Sequence, residues 1–254
     1  MGTNFYKEKG IIGIVGGMGP EAGIALFNAI LRFTGARTDQ QHLSTILISF
    51  PAHIMDRTAY LDGLQGINPA YGITQVIRRL ETVGADVVGI ACNTSHSPAI
   101  FDVITAELAR SGCRVELLHM PREACAFIKE AYPLAKRIGV MTTNGTYRSG
   151  IYRNCLQNLG YKVIVPDEEF QDAIIHRMIY DPCFGLKSTP GHVTEEVRCL
   201  FNEAIHFFMK HHADAIILGC TELSLLFPAI PEPGIPLIDA TDSLARALIR
   251  EVIR

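Results

Sequence analysis

Two cysteines close matching runs in this chain. Cys92 ends ADVVGIAC (Ala85–Cys92), and Cys220 ends ADAIILGC (Ala213–Cys220), 128 positions further on. Each run is Ala-Asp and five mostly apolar residues before the thiol, and each leads into a short polar stretch, NTSH or TELS. Paired thiols suit inversion at a carbon that bears hydrogen. One group removes a proton from one face while the other delivers a proton to the opposite face, and the roles exchange when the reaction reverses. A free thiol ionises near about 8.5, so a modest depression yields a usable thiolate at neutrality. With each sulfur about 3–3.5 Å from the carbon, the two would stand roughly 6–8 Å apart. Disulfide sulfurs, by contrast, are about 2 Å apart.

Residues near the thiols fit a carboxylate-bearing substrate. The turn GGMGP (Gly16–Pro20) follows a strand-like run, and Pro20 with Glu21 suits the opening of a helix. Glycines there let backbone N–H groups approach an anion, although a tight strand-to-helix turn alone would also explain them. The order G-x-x-G-G-x-G is not the dinucleotide fingerprint. TTNGT (Thr142–Thr146) is the counterpart in the second half of the chain, with hydroxyls and an amide in place of glycines. Alone, it reads as a polar loop and helix cap. His96 and Glu222 could orient a thiol or carry protons, but a capping or solvated role is the simpler reading of each.

Other chemistries find less support. Cys92, His96 and Cys220 give a loose metal spacing with no fourth ligand, so no metal site is expected. No G-x-S-x-G elbow marks a hydrolase. Of seven lysines, only Lys187 falls in a loop suited to a pyridoxal Schiff base. The pair His211–His212 reads as a solvated helix end.

Strand-like runs cover Ile11–Val15, Thr45–Ser49, Asp86–Ile90, Arg114–Leu118, Arg137–Met141, Lys162–Val165, Ala215–Leu218 and Ile235–Ile238. Helical patterns lie between them at Glu21–Phe33, Ile73–Val83, Phe101–Ser111, Arg122–Ala131, Gly150–Leu159, Val193–His211 and Thr241–Ile253. Apolar strands separated by amphipathic helices indicate an α/β fold with a mostly parallel sheet covered on both faces. A second echo, IGIVGGMG (Ile12–Gly19) and IGVMTTNG (Ile138–Gly145), has an offset of 126. Two echoes at nearly one period predict two similar α/β halves. Ligands of open parallel sheets collect beyond the carboxyl ends of the strands, so facing halves would gather all four turns around one cleft.

The 254 residues suffice for one large domain or two smaller ones. The net charge of −3 comes without charged blocks, so neither a nucleic-acid surface nor a polybasic membrane patch is expected. The polar N-terminus MGTNFYKEKG lacks an apolar signal core, and the apolar segment around Ala215–Ile230 is broken by Glu222 and Pro228. A cytoplasmic protein is expected. Its seven scattered cysteines carry no Cys-x-x-Cys, and Cys113, Cys125, Cys155, Cys183 and Cys199 read as ordinary small hydrophobes.

GGMGP, DRTAY (Asp56–Tyr60), CNTSH (Cys92–His96) and GCTEL (Gly219–Leu223), in this order, resemble the aspartate/glutamate racemase family, and its aspartate racemase branch in particular. The similarity runs from Gly13 to about Asp239. It implies a cofactor-independent racemase of two α/β domains related by a pseudo-twofold, with the active site between them, commonly a homodimer, acting on a small amino-acid substrate. The family's catalytic pair falls on Cys92 and Cys220. Its substrate carboxylate and ammonium contacts fall among Met18, Asn93, Thr94, Thr143, Asn144, Thr146 and Thr221. Arg57 of DRTAY would meet the substrate's side-chain carboxylate, a role suited to a guanidinium fork. Residues 1–113 with 234–254 are expected to form the first domain and 114–233 the second.

One departure concerns specificity. The branch carries a second basic residue shortly after an Ile-Tyr turn. Here the run is IYDPCFGLKS (Ile179–Ser188), which places Phe184 at that position without a gap and Lys187 only after a shift of three. Aspartate, glutamate and a broader set of amino acids stay open as substrates. A hydantoin-type racemase or a silent amino-acid-binding protein on the same scaffold are the alternatives.

Overall fold

The computed structural model describes residues 10–229 and 234–254. Most of the polar N-terminal run and the 230–233 boundary therefore lie outside the described residues. Strands and helices alternate: β1 (Ile12–Gly16), α1 (Pro20–Thr34), β2 (Thr45–Ser49), α2 (Arg57–Leu61), α3 (Ala70–Thr82), β3 (Val87–Ile90), α4 (Pro98–Arg110), β4 (Glu116–Leu118) and α5 (Met120–Ala131). The chain continues through β5 (Arg137–Thr142), α6 (Asn144–Ser149), α7 (Ile151–Asn158), β6 (Lys162–Ile164), α8 (Glu168–Phe170), α9 (Arg177–Tyr180), α10 (Glu195–Lys210), β7 (Ala215–Gly219), β8 (Leu237–Asp239) and α11 (Ala240–Ile253). A π-helical turn, Gln171–His176, joins α8 to α9, and a 3-10 stretch, Thr221–Ala229, follows β7.

The strands form two four-stranded sheets of the same topology, β2-β1-β3-β4 and β6-β5-β7-β8. All pairings are parallel, with Ile12 opposite both Thr45 and Val87 in the first sheet and Ile138 opposite Ala215 in the second. β1, β3 and β7 are buried along their whole length, which is why their sequences are apolar throughout rather than alternating. The covering helices show the complementary pattern. α3 buries Ile73, Val76, Ile77 and Leu80 on one stripe, and α10 buries Val197, Phe201, Ile205 and Phe208.

The two sheets share a core. Ile12 and Ile14 of the first belong to the same buried cluster as Ile138, Val140, Ala215 and Ile217 of the second. Each sheet's other face has a cluster of its own, Val15, Val88 and Ile90 under α3 and α4, and Met141, Ile216 and Leu218 under α10. Side chains alternating across the pleat feed both clusters from one strand.

The expected division at residues 113/114 and 233/234 needs correction for two strands. β4 pairs with β3, Val87 opposite Glu116, so it completes the first sheet. β8 pairs with β7, Ile216 opposite Leu237, so the last strand stays in the second sheet. In each half, the strand following the thiol-bearing one docks beside it. The last helix, α11, packs on α1 and α5 and lies over β3. A Cβ at Gly89 would come within 2.9 Å of Leu248 and 3.1 Å of Leu244, so the bare glycine is what lets α11 approach. No helix among the described residues is long and apolar enough to cross a membrane.

Candidate active site

The repeated runs have work at both ends. At the base, the carboxylate of Asp86 accepts the backbone N–H of Ile11 at 2.7 Å, just before β1. Asp214 accepts the N–H groups of Lys136 and Arg137 at 2.8 Å each, at the start of β5. Each aspartate pins the neighbouring strand. At the top, Cys92 and Cys220 leave the carboxyl ends of β3 and β7, where open parallel sheets bind ligands.

Both thiols line one cavity. It is small, at ≈ 10 Å³, about the room that one water needs. The first half contributes Met18, Arg57, Cys92, Asn93 and Thr94. The second contributes Thr143 and the turn Gly219–Glu222, with Tyr180 and Lys187 from the segment around α9. A larger cavity, ≈ 630 Å³, lies between α1, α11 and β8 and is lined by neither thiol. The smaller one holds the reactive groups, so chemistry rather than size locates the site.

Of the sequence-predicted residues, Thr146 and Asn144 do not line this cavity. Thr146 stands behind it in a triangle of hydroxyls, 2.9 Å from Thr94 and 3.3 Å from Thr143, with Thr94 and Thr143 themselves 3.2 Å apart. This triangle joins the two halves. The Asn144 side chain turns away, donating to Asp172 at 2.8 Å and accepting from Gln171 at 3.2 Å.

Arg57 is buried and braced. Asp56 caps α2 by accepting the N–H of Ala59 at 2.8 Å, which sets the next residue's side chain inward. The guanidinium donates to the carbonyls of Met55 (3.1 Å) and Met18 (2.9 Å). Burial works against its charge, but Cys92, Asp56 and Tyr180 outweigh it and hold Arg57 above the usual range. Its Nε stays buried without a partner. Asn93 is similarly half-used: Oδ1 accepts from the phenol of Tyr152, while Nδ2 is buried and unpartnered.

Two residues set aside on sequence grounds are central. Glu222, expected to cap or face solvent, is buried beside Cys220. Its Oε2 accepts from the Cys220 thiol at 3.0 Å and from the Thr221 hydroxyl at 3.1 Å. Its Oε1 accepts from the N–H of Gly19 at 3.4 Å and forms an ion pair with Lys187. Burial favours the neutral acid, yet Lys187 and the bond from Cys220 prevail and bring Glu222 down to about 2. Lys187 is therefore the cation that reaches the cavity from this segment, beside Arg57 of the first half. Phe184 lies under the guanidinium of Arg177, 5.2 Å from its centroid, and does not line the site. The three-residue displacement was the signal in the sequence.

His96 also departs from a solvated role. It is buried, its Nδ1 bonds the carbonyl of Cys92 at 2.9 Å, and its ring packs against Phe101 and His119. With Nδ1–H donating, Nε2 is the bare nitrogen, and it has no partner. Burial lowers His96 to about 4. It shapes the turn after Cys92, and its burial disfavours the charged ring near neutrality. Among the described residues, no three His, Cys, Asp or Glu side chains converge as a metal-ligating group.

The sequence model of the Asp/Glu/hydantoin racemase family matches residues 15–248. The chain is 27% identical over 244 residues to the broad specificity amino-acid racemase RacX of Bacillus subtilis (strain 168), covering 94% of this chain and 96% of that protein. Among solved structures, Picrophilus torridus aspartate racemase superposes with a TM-score of 0.73 at 28% identity, over 96% of this chain and 94% of that one. Glutamate racemase from Francisella tularensis, solved with D-glutamate, shares the fold with a TM-score of 0.65 at 19% identity, over 96% and 81%.

Proposed function

This chain belongs to the Asp/Glu/hydantoin racemase family, and we propose that it is an amino-acid racemase using Cys92 and Cys220 as paired acid and base on an acidic amino acid. The observation that carries the reading is that both thiols, from equivalent strand ends of two like halves, line one cavity. One sulfur, as thiolate, takes the α-hydrogen from one face of the substrate. The other gives its proton to the opposite face, and the pair ends with its protons exchanged.

The electron pair left on the α-carbon spreads into the substrate's own carboxylate, which needs donors placed before the reaction begins. Nδ2 of Asn93 and the hydroxyls of Thr94 and Thr143 are at hand in the cavity wall. Closure around the substrate excludes water and strengthens these contacts. Because the cavity has room for about one water, the halves part in this reading to admit an amino acid.

Two cations in the wall, Arg57 and Lys187, support an acidic side chain. A broader range is a second reading, favoured by likeness to the Bacillus subtilis enzyme and by the prior engagement of Lys187 with Glu222. Incubating the protein with single enantiomers of aspartate, glutamate, neutral amino acids and hydantoins in deuterium oxide separates them. Racemisation with label at the α-position is expected, and Cys92→Ser or Cys220→Ser should lower the rate at least about a thousandfold without loss of fold. Full activity in either variant, or inversion without label, overturns the two-thiol reading. Binding of aspartate without turnover would instead indicate a silent binding protein. We also propose a homodimer, to be checked by sedimentation.

A further inference from the structure

The two thiols sit in different polar surroundings. Cys92 shares the cavity wall with the guanidinium of Arg57, while Cys220 donates its hydrogen to a carboxylate. The carboxylate of Glu222 is held in place from several directions: by the thiol, by the hydroxyl of Thr221, by the backbone N–H of Gly19 from the other half, and by Lys187. It is buried, and it is the only carboxylate in the cavity wall among the described residues.

We propose that Glu222 is a positioning residue that holds Cys220 as the S–H partner, so that Cys92 gives up its proton before Cys220 does. This rests on the two-thiol reading and adds to it. A two-base racemase can rest in either of two arrangements, with the mobile proton on one sulfur or on the other. Nothing in the reaction requires these to be equally populated. An accepting carboxylate 3.0 Å from one sulfur is satisfied only while that sulfur keeps its hydrogen. A thiolate there would face the carboxylate as a like charge in a buried site.

The groups around Cys220 act in different directions. Burial and Glu222 hold its thiol well above the usual range, Lys187 works the other way, and Tyr152 of α7 adds a neutral phenol. Lys187 thus tempers what Glu222 imposes. Opening the cleft would separate Gly19 from Glu222, since one lies in each half. Glu222 would then loosen as substrate enters and regain its hold on closure.

The test is the pH dependence of iodoacetamide alkylation on the full chain, resolved by peptide mass spectrometry so that Cys92 and Cys220 are followed separately. In the wild type, Cys92 should react at lower pH than Cys220. Glu222→Gln should move the Cys220 profile to lower pH, raising its rate at fixed pH by about tenfold for each unit moved. Lys187→Met should move the same profile to higher pH. A general loosening of the site would move both variants alike, whereas this role requires opposite signs. The proposal is overturned if Cys220 ionises first, if Glu222→Gln leaves its profile in place, or if both variants shift it one way. Should Glu222→Gln fail to fold, Lys187→Met still decides by its sign. Racemisation with the order reversed would sink this proposal alone, and the predicted order without turnover would sink the racemase reading alone.

Discussion

The phenol of Tyr152 donates to Oδ1 of Asn93, so a buried side chain of the second half fixes an amide of the first, one residue from Cys92. The bond leaves Nδ2 of Asn93 as an unpartnered donor in the site. Tyr152→Phe frees the amide to turn while changing little volume. A neutral hydrogen bond of this kind contributes about 1 kcal/mol, so KM for every substrate should rise by about three- to tenfold. Steady-state kinetics check this, and an unchanged KM would show that the amide needs no such brace.

Arg57→Ala removes a charge and also two bonds to backbone carbonyls, those of Met18 and Met55. A loss of about 1–3 kcal/mol in stability is expected from the carbonyl left buried. Activity should fall more for acidic than for neutral amino acids, because only the former present a side-chain carboxylate to the fork. Chemical denaturation gives the first quantity and the ratio of kcat/KM values gives the second. An equal loss for both substrate classes would remove the carboxylate role and leave a bracing one.

Gly145 sits on α6 where the second half meets the first. A Cβ there would be 2.9 Å from Oγ1 of Thr58, 3.0 Å from Cγ2 of Thr94 and 3.2 Å from Cα of Thr58. The last of these is backbone and yields only if the halves separate. Gly145→Ala should hold the cleft ajar and lower kcat/KM by about a hundredfold, as expected when reacting groups are displaced by about 1 Å. Gly66→Ala, which meets nothing within 4 Å, is the control and should be silent.

Two buried histidines predict an acid sensitivity. Burial is the main cause that lowers His96 to about 4 and His119 to about 3, and Arg122 lowers both further. The folded protein therefore takes up these protons less readily than the unfolded chain. Their contribution is fully present above about pH 6.5 and is lost as pH falls through about 4 for His96 and about 3 for His119. His96→Asn keeps a donor for the Cys92 carbonyl and removes one titration. Its urea midpoint should drop less than that of the wild type between pH 7 and 4.5, and parallel curves would contradict the assignment.

The strands were the most legible part of the molecule. Runs such as Val87–Ile90 and Ala215–Gly219 are buried end to end, so composition alone marks them. α2 and α6 escaped because five or six residues hold too little of a helical period to register. In the site, the repeated cysteines were readable because each ends a patterned run. The repeated Asp86 and Asp214 stood in the same runs, yet their part is to bond N–H groups across the sheet base, which no local pattern expresses. Glu222 reads locally as a helix cap. Its burial follows from Lys187, 35 positions earlier, and from Gly19 in the other half. Pairings of that range become visible only when the chain has folded.

The route of the C-terminus carries a mechanical consequence. β8 is stitched into one sheet, and the helix that follows it without a break lies across the other. Neither half could be cut out by a single scission and expressed on its own, because the final segment is a strap anchored at both ends. An opening of the proposed cleft would flex at Asp239–Ala240 or slide α11 over Gly89, so stiffening that junction should slow such an opening.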